Sequence, residues 1–511
     1  MSACSNGSHR ASPASFRHNT STTTHPTTTT TMPATLLGKY GMQANWVIAE
    51  NNEPGTNQWQ LNGKEGPNEI DGYTNMVSAQ DGDTVGLYVS TPAPSFYVEA
   101  FRMGWYQGTR GRLIWTSQNV QGGIQATCPL IQPVRMVECN WHRSLSINIT
   151  AGWPPGDYLF KLIGSSNQQS WVPLTVRDDA SHSTYLVQNS VTTWQAYNLY
   201  GGYDLYSGLS NGVRSYNARS YEVSFDRPYI WSFGNGSADF VANELPMVAL
   251  VEKLGLDVSY TTNVDLSENP SILSQHKTLL SLGHDEYWSL AERNAVAIGI
   301  NFGLNFLAFG ANAIYRHIRF DSSPLGPFRR EICYKSTLDP LYGKNNPDVT
   351  VNWNEPPDPR PPSEILGDEY SCNPVTAPMV IENPSLWIWA NTSLSKPTSL
   401  PGIVGSEYDH VIPNMVGPTN IEILANSPVT CQGRSDYADA TWYTAAHGGG
   451  VFDSGTNGWV GNLAAPCPTN STICPSNVLI RATENLLLAC AKGPASLSEP
   501  SVSNVSAVLK G

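Results

Sequence analysis

The sequence predicts a multidomain protein of α/β plus β class: an N-terminal antiparallel β-sandwich, then a three-layer α/β domain with a β-rich C-terminal extension. Three observations predict it. The 511 residues give room for more than one core. Residues 40–179 contain short alternating apolar runs between turns rich in Gly, Pro and Asn, which is typical of antiparallel strands. Over residues 180–492, apolar strand runs alternate with runs of helical spacing, which indicates a parallel sheet covered by helices.

Five alternating runs define the predicted sandwich. They are DTVGLYVST (83–91), SFYVEAFRM (95–103), RSLSINIT (143–150), GDYLFKLIG (156–164) and SWVPLTVRDD (170–179). Side chains alternate between the two faces of a strand, so each run can bury one face against a facing sheet. The segment is also rich in aromatic residues, including Trp46, Trp105, Tyr106, Trp141 and Trp153. These could form a carbohydrate platform, but packing in the core is the favoured interpretation.

The α/β region shows strand and helix signals in alternation. The predicted strands lie in STYLVQNSV (183–191), LDVSYTTNVDL (256–266), KTLLSL (277–282) and LNFLAFGANAIY (304–315). ELPMVALVEKLG has helical spacing that stops at Gly255, and Ser289 with Glu292 has the spacing of a capping box for the next helix. Parallel sheets of this kind bind ligands beyond the carboxyl ends of their strands, so we expect a functional site there.

Composition favours an exported protein. Charged residues make up 14% of the chain, against about 25% in ordinary soluble domains, and the net charge is −13 without a basic stripe. Nucleic-acid binding is therefore excluded as a function class. No run of about 18 apolar residues is present to span a membrane.

The two ends of the chain are predicted to lie outside the globular domains. Ser2-Ala3-Cys4 resembles the end of a bacterial lipoprotein cleavage box, in which case a lipid on Cys4 is the chain's membrane contact. An incidental cysteine is the alternative. The Ser/Thr/Pro-rich residues up to 39 are expected to form a disordered tether, and residues 493–511 a flexible tail. The expected location is extracellular or at the cell surface.

Apart from Cys4, eight cysteines remain, an even number that suggests disulfides in an exported chain. Two pairs would each close a short loop, Cys128 with Cys139 and Cys467 with Cys474. The remaining expected pairs are Cys333 with Cys372 and Cys431 with Cys490. No cysteine spacing of zinc-site type occurs.

The stretch SLGHDEYWS, residues 281–289, carries the densest set of reactive side chains, at the carboxyl end of a predicted strand. If strand geometry persists, His284 and Glu286 face one side and Asp285 the other, because side chains alternate. The alternative is structural: Asp285 and Glu286 cap the following helix while His284 bonds backbone.

Several motifs together resemble the N,N-dimethylformamidase large (beta) subunit-like family. They are TWQAYN, GG, RPY, GHDEYWS, GAN with RF, CYK and VFDSGT. The resemblance implies a central domain of class I glutamine-amidotransferase-like type. It also implies a mononuclear non-haem Fe(III) held by two tyrosines and one glutamate, and hydrolysis of a formamide to an amine and formate.

Carried over by position, the resemblance makes Glu286 the carboxylate ligand, and Tyr197 and Tyr229 the phenolate ligands, with Tyr206 as the alternative. The surrounding catalytic or substrate-orienting residues would be His284, Asn312, Lys335 and Glu407. Phenolate and carboxylate are hard anionic donors, which suit a trivalent hard ion.

The sequence thus favours an exported metal-dependent hydrolase that cleaves a C–N bond of an amide or formamide. Its expected partner is a small amide-type substrate, and a homo-oligomer is an open option. The alternative function is a non-catalytic cell-surface carbohydrate-binding or structural lipoprotein, in which the tyrosines would point away from Glu286.

Overall fold

In the computed structural model, which describes residues 35–446, 448–469 and 473–509, the N-terminal region is a two-sheet sandwich. One sheet is antiparallel, in the order Leu145–Asn148, Thr84–Ser90, Asp71–Thr74. The other has the order Ser78–Ala79, Gln169–Val176, Gly156–Gly164, Ser95–Met103, Gly111–Thr116, with Val120–Gln121 also paired to Ser95–Met103. The lipoprotein-like start with Cys4 lies outside the described residues.

The sandwich core forms where the inner faces of its two sheets meet. Val85, Leu87 and Ile147 of the first sheet and Val98 and Phe160 of the second are almost completely buried in one cluster. The predicted strands therefore lie close to their expected positions, since the runs supply apolar side chains to this core.

Most of the sandwich aromatics are core residues rather than a platform. Tyr106, Trp141 and Trp153 are buried, and Trp153 packs on Phe160 with ring centroids 6.1 Å apart. Trp46 is 36% exposed and lies by itself against Arg102. The favoured interpretation of these aromatics is confirmed for the three buried rings.

The central sheet has seven strands. In spatial order they are Val258–Thr262, Tyr185–Asn189, Thr278–Leu282, Asn305–Phe309, Gly450–Asp453, Arg434–Thr444 and Glu422–Cys431. The first five are parallel. Arg434–Thr444 pairs antiparallel with Gly450–Asp453, and Glu422–Cys431 pairs antiparallel with Arg434–Thr444. The carboxyl ends of the parallel strands thus share one edge, as the sequence predicted.

Alternation along the parallel strands produces the three layers. Leu279 and Phe306 face a core that also contains Val296 of the helix Leu290–Asn301. Their neighbours Leu280 and Leu307 face the other core, together with helices Leu245–Lys253 and Pro475–Ala489. Burial on both faces explains why these strands are continuous apolar runs in the sequence.

The capping box predicted for Leu290–Asn301 is only half formed. Ser289 Oγ accepts the backbone N–H of Glu292 at 3.2 Å. The Glu292 carboxylate instead accepts from Asn263 Nδ2 at 2.9 Å, because Asn263 begins the neighbouring helix and offers a buried donor.

The other elements surround these sheets. A four-stranded sheet has the order Glu222–Ser224, Gly326–Ile332, Arg316–Ser323, Tyr287–Ser289, and a long hairpin joins Glu369–Ile381 to Thr398–His410. Short pairs are Thr35–Leu37 with Met42–Ala44, Leu130–Ile131 with Met136–Val137, and Gly208–Ser210 with Val213–Ser215. The remaining α-helices are Asn45–Asn51, Val191–Ala196, Phe240–Asn243, Asn263–Glu268, Ser363–Leu366, Gly458–Asn462 and Val505–Val508. The 3₁₀ turns are Tyr106–Gly108, Tyr200–Gly202, Tyr216–Ala218, Gly234–Gly236, Pro270–Gln275, Asn346–Asp348, Trp387–Trp389 and Ala495–Leu497.

Both predicted terminal features of the globular region need correction. The β-rich part is no extension, because its strands Arg434–Thr444 and Glu422–Cys431 complete the central sheet. Nor are the described residues of the predicted tail free: Asn504 Oδ1 accepts the N–H of Ile423 at 2.7 Å, and its Nδ2 donates to the carbonyl of the same residue. At the other end, Thr35–Leu37, expected in the tether, forms a strand.

Among the described residues, three disulfides are present. Cys128–Cys139 and Cys467–Cys474 confirm the two short-loop predictions. Cys372 pairs with Cys431 across 6.3 Å between Cα atoms, so the predicted pairs Cys333–Cys372 and Cys431–Cys490 are wrong. Cys333 and Cys490 are free and buried. The physical reason is that Cys372 and Cys431 lie on packed strands, which sequence order does not reveal.

Within the described ranges, no helix is long and apolar enough to cross a membrane.

Candidate metal centre and active site

The stretch predicted to carry the chemistry leaves the carboxyl end of the central strand Thr278–Leu282. Gly283, with φ of +64°, turns the chain away from the sheet. His284 and Glu286 then face the same side, with Nε2 and Oε2 3.5 Å apart. Asp285 faces the interior and accepts from Ser281 Oγ at 2.7 Å. The predicted alternation is confirmed, and Asp285 and Glu286 do not cap the helix.

Two phenols converge on the Glu286 carboxylate. Tyr197 OH lies 2.8 Å from Glu286 Oε2, and Tyr206 OH lies 2.7 Å from Oε1 and 2.8 Å from Oε2. The two phenol oxygens are 2.9 Å apart, and the rings stack with centroids separated by 4.5 Å. Three oxygen-bearing side chains from three separate elements therefore meet at one point.

Local structure fixes each member of this cluster. Tyr197 ends the buried helix Val191–Ala196. The Asp204 side chain accepts the N–H of Tyr206 at 2.8 Å, and this turn folds Tyr206 back toward Tyr197. Thr193 Oγ1 accepts the N–H of Glu286 at 2.9 Å, which orients the carboxylate.

Tyr229, the first choice for the second phenolate, is elsewhere. Its ring packs edge-on against Trp194, with centroids 6.3 Å apart, and borders a cavity with Phe240 and Arg227. No hydrogen bond joins Tyr229 to Glu286 among the described residues. The structure places the alternative, Tyr206, against Glu286.

Cationic side chains compensate the buried carboxylate. Arg316 Nε lies 3.1 Å from Glu286 Oε1. Burial raises the pKa of Glu286, but Arg316, His284 and Lys335 outweigh it and leave that pKa below its usual value. Burial, which is the largest cause, raises the pKa of the Tyr197 and Tyr206 phenols well above 10.

Lys335 is buried beside the two rings. Its ammonium lies 3.3 Å from the centroid of the Tyr206 ring and donates to Tyr287 OH at 2.6 Å. Burial, aided by the charge of Arg316, lowers the pKa of Lys335 to about 7. Sequence reasoning missed Arg316 and Tyr287, although Tyr287 follows Glu286 directly in the GHDEYWS motif.

His284 bridges two carboxylates. Its Nε2 lies 3.2 Å from Glu407 Oε2, and Glu407 Oε1 accepts from Asn373 Nδ2 at 2.6 Å. Burial lowers the pKa of His284, but Glu407 and Glu286 raise it more, to about 9. The histidine is therefore poised to hold a proton between the two carboxylates.

Asn312 lies on the loop after the strand Asn305–Phe309. It adopts a left-handed φ of +61°, and its N–H donates to both oxygens of Asp409, at 2.8 and 3.0 Å. Its buried side-chain oxygen has no hydrogen-bond donor within the described part of the chain. An acceptor held this way is available to a ligand.

The Tyr197–Tyr206–Glu286 oxygens fit a small hard cation. Oxygen ligands at about 2.0 Å from such an ion, at right angles to each other, are about 2.8 Å apart, and the three contacts span 2.7–2.9 Å. The two phenol protons must also serve four oxygen–oxygen contacts. A cation in place of the two protons could be bound by oxygens of all three side chains.

Two phenols and a carboxylate at the carboxyl edge of a parallel sheet define a candidate oxygen-ligated metal centre. The chain belongs to the N,N-dimethylformamidase beta subunit-like, C-terminal family, whose model matches residues 97–472. This confirms the resemblance seen in the sequence. No curated protein gives a significant match.

Two solved structures show weak similarity. An uncharacterized protein from Bacillus anthracis str. Ames is 11% identical, with 20% of this chain and 78% of that chain covered and a TM-score of 0.14. A cycloisomaltooligosaccharide glucanotransferase from Paenibacillus sp., complexed with cycloisomaltoheptaose, is 9% identical, with half of each chain covered and a TM-score of 0.18. Neither similarity carries an argument about fold or activity.

Proposed function

We propose that this protein is an exported metal-dependent hydrolase that cleaves the C–N bond of an amide or formamide. The observation that carries the proposal is the convergence of Tyr197, Tyr206 and Glu286 within 2.7–2.9 Å of one another. Family membership supports a hydrolase of dimethylformamidase type and supports metal dependence.

The proposed ion is mononuclear Fe(III). Phenolate and carboxylate are hard donors, and three of them balance a trivalent charge. Only a strong Lewis acid would hold two phenols ionised near neutrality, since burial without a metal raises the pKa of both. When bound, the ion would polarise the amide carbonyl and acidify water.

The remaining roles belong to side chains of this chain. Tyr197, Tyr206 and Glu286 hold the ion. Glu407 takes the proton of the attacking water, and His284 Nε2 delivers a proton to the departing amine nitrogen. Glu407 Oε2 and His284 Nε2 lie 3.2 Å apart, so a proton can pass from one to the other. The products are a carboxylate, formate in the case of a formamide, and an amine.

Two other groups are suited to binding the substrate. The unpartnered oxygen of Asn312 can accept an N–H from a primary or secondary amide. The ammonium of Lys335, fixed on Tyr287 and the Tyr206 ring, places positive charge beside the phenol oxygens.

The metal centre is tested by iron content and the visible spectrum of the purified protein. We expect one iron per chain and a tyrosinate-to-iron absorption band, with both lost in Glu286→Gln and strongly reduced in Tyr197→Phe and Tyr206→Phe. Tyr229→Phe is the matched control, because it removes a half-buried phenol away from Glu286 and should keep iron and colour. A well-folded protein that is colourless and takes up no iron contradicts the proposal.

The reaction is tested by a screen of formamides and simple amides with formate and amine as readouts. We expect turnover by the iron-loaded protein, and none by Glu286→Gln. Iron-loaded protein that releases neither product from any amide argues against hydrolysis, even if the metal centre is intact.

We also propose that the central domain has a class I glutamine-amidotransferase-like fold and that the protein is exported. The central sheet, with five parallel strands and helices on both faces, supports a class I glutamine-amidotransferase-like arrangement. Three disulfides and the low content of charged residues support export, with a lipid on Cys4 as the proposed attachment and a homo-oligomer as an option to be measured.

A second candidate is carbohydrate binding, favoured by one groove. A cavity of about 470 Å³ is bordered by Trp231, Trp141, Tyr200 and Gln125, and the Trp231 side chain is 40% exposed. An aromatic face beside amide groups suits a sugar ring. Titration with soluble oligosaccharides, followed by tryptophan fluorescence in wild type and Trp231→Ala, tests it. The enzyme proposal loses its main rival if no sugar binds.

A further inference from the structure

Three aspartates from separate elements meet inside the protein, apart from the Tyr197–Tyr206–Glu286 cluster. Asp368 precedes the strand Glu369–Ile381, Asp409 lies near the end of Thr398–His410, and Asp453 ends the parallel strand Gly450–Asp453. One oxygen of each lies within 4.8 Å of the other two, and each residue is at most 1% exposed.

The protein supplies these carboxylates with too few donors. The donors are Thr441 Oγ1 to Asp368 Oδ2 at 2.9 Å, the N–H of Asn312 to both oxygens of Asp409, and the N–H of Gly455 to Asp453 Oδ1 at 2.8 Å. Asp368 Oδ1 and Asp453 Oδ2 are wholly buried and have no donor among the residues that the structure describes. No Lys or Arg in the described ranges forms an ion pair with any of the three.

Buried carboxylates without counter-charge are costly, so the cluster must hold either protons or a cation. Oxygen ligands of Ca²⁺ lie 2.3–2.6 Å from the ion, so two ligands on opposite sides are about 4.8 Å apart. The three oxygens lie within 4.8 Å of one another, so one ion of this size can contact all three. Two oxygens without donors supply free lone pairs for coordination.

We propose that Asp368, Asp409 and Asp453 bind a divalent cation, Ca²⁺ in preference to Mg²⁺, at a second metal site. Carboxylate oxygens are ligands that Ca²⁺ favours, and the three aspartates differ from the phenol-rich centre at Glu286.

The site ties the long hairpin to the central sheet. Asp368 and Asp409 belong to the hairpin, whereas Asp453 belongs to the sheet, and the ion would join them. Asp409 also holds the N–H of Asn312 and lies two residues from Glu407. A cation bound only by the folded chain raises its stability.

The test uses the full chain, freed of divalent ions with EGTA and then titrated with CaCl₂ or MgCl₂. Readouts are elemental analysis after desalting and the thermal unfolding midpoint. We expect about one Ca²⁺ per chain and a rise in the midpoint of about 3 °C or more at saturation. Asp368→Asn and Asp453→Asn should lose both effects, while the exposed control Asp81→Asn keeps them.

Glu286→Gln separates this site from the proposed iron centre, because it should lose iron but retain the response to Ca²⁺. If Asp368→Asn fails to fold, the wild-type titration and Asp453→Asn still decide. The proposal is overturned if wild-type protein retains no Ca²⁺ and unfolds at the same temperature with EGTA and with saturating CaCl₂. Protons shared by the carboxyls would then neutralise the cluster.

Discussion

At the scale of single residues, the environment of a group decides its chemistry more than its type does. Tyr206 and Tyr229 are both half-buried, yet only Tyr206 is brought to Glu286, by a turn on Asp204. Glu286 itself followed from the GHDEYWS motif. The identity of the second tyrosine beside Glu286 depends on how the chain turns at Asp204, which no local sequence pattern predicts.

Lys335 is expected to act on turnover without holding the metal. Lys335→Met preserves the volume of the side chain but removes the charge over the Tyr206 ring and the donor to Tyr287. We expect kcat to fall by about 10²-fold, the scale of a lost electrostatic or proton-transfer contribution. Iron content should stay at the wild-type level. Loss of iron together with activity would instead identify Lys335 as part of the metal-binding structure.

His317 gives a pH-dependent contribution to stability. Burial lowers the pKa of His317 to about 3, from 6.5 in the unfolded chain, and the ring stacks on Trp353 at 3.9 Å. The folded state holds the neutral ring, so stability is complete above about pH 6.5 and falls as the pH drops toward 3.

Denaturant unfolding of wild type and His317→Phe at pH 7.5 and pH 5 measures this contribution. We expect the loss of unfolding free energy on acidification to be about 2 kcal/mol smaller in the variant, which keeps a ring on Trp353 but cannot be protonated. An equal loss in both proteins would show that His317 is protonated without cost in the fold.

At the scale of elements, the sequence located strands well and long-range partners poorly. The runs at 156–164 and 277–282 coincide with strands, because both are buried along their whole length and consist mainly of apolar residues. The disulfide Cys372–Cys431 was missed, since it joins the long hairpin to the sheet edge and depends on how these elements pack. The predicted tether likewise ran a few residues into a strand.

The disulfides should differ in their contribution to stability. A cross-link restricts the unfolded chain more when it closes a longer loop, so the 59-residue separation of Cys372–Cys431 corresponds to about 4 kcal/mol and the 7-residue separation of Cys467–Cys474 to about 2 kcal/mol. Double replacement by alanine in each pair, followed by denaturant unfolding, compares them.

Peptide mapping without reduction provides the control for that comparison. Cys333 and Cys490 should be alkylated once the chain is denatured, whereas Cys372 and Cys431 should not. Peptides linked through Cys333 or Cys490 would contradict the pairing.

At the scale of the whole molecule, the last described residues cover the edge of the central sheet. The amide of Asn504 bonds both backbone groups of Ile423 in the edge strand Glu422–Cys431. Ser501 Oγ accepts the N–H of Thr444, in the neighbouring strand, at 3.0 Å. Unpaired edges favour aggregation, so this cover protects the sheet.

Removal of residues 493–511 is therefore expected to be harmful rather than neutral. The truncated chain should unfold several degrees lower and form oligomers or aggregates on standing, as measured by thermal unfolding and light scattering. Asn504→Ala is the milder test and should show a smaller shift in the same direction. An unchanged melting temperature after truncation would restore the view of these residues as a free tail.

The position of Gly450–Asp453 determines when the protein can fold. This strand lies between Asn305–Phe309 and Arg434–Thr444, near the middle of the sheet. During synthesis, the strands on the two sides of Gly450–Asp453 therefore cannot be joined into one sheet until about nine-tenths of the chain has been made. Folding dominated by such distant pairing is slow, so the central sheet is completed only late in folding.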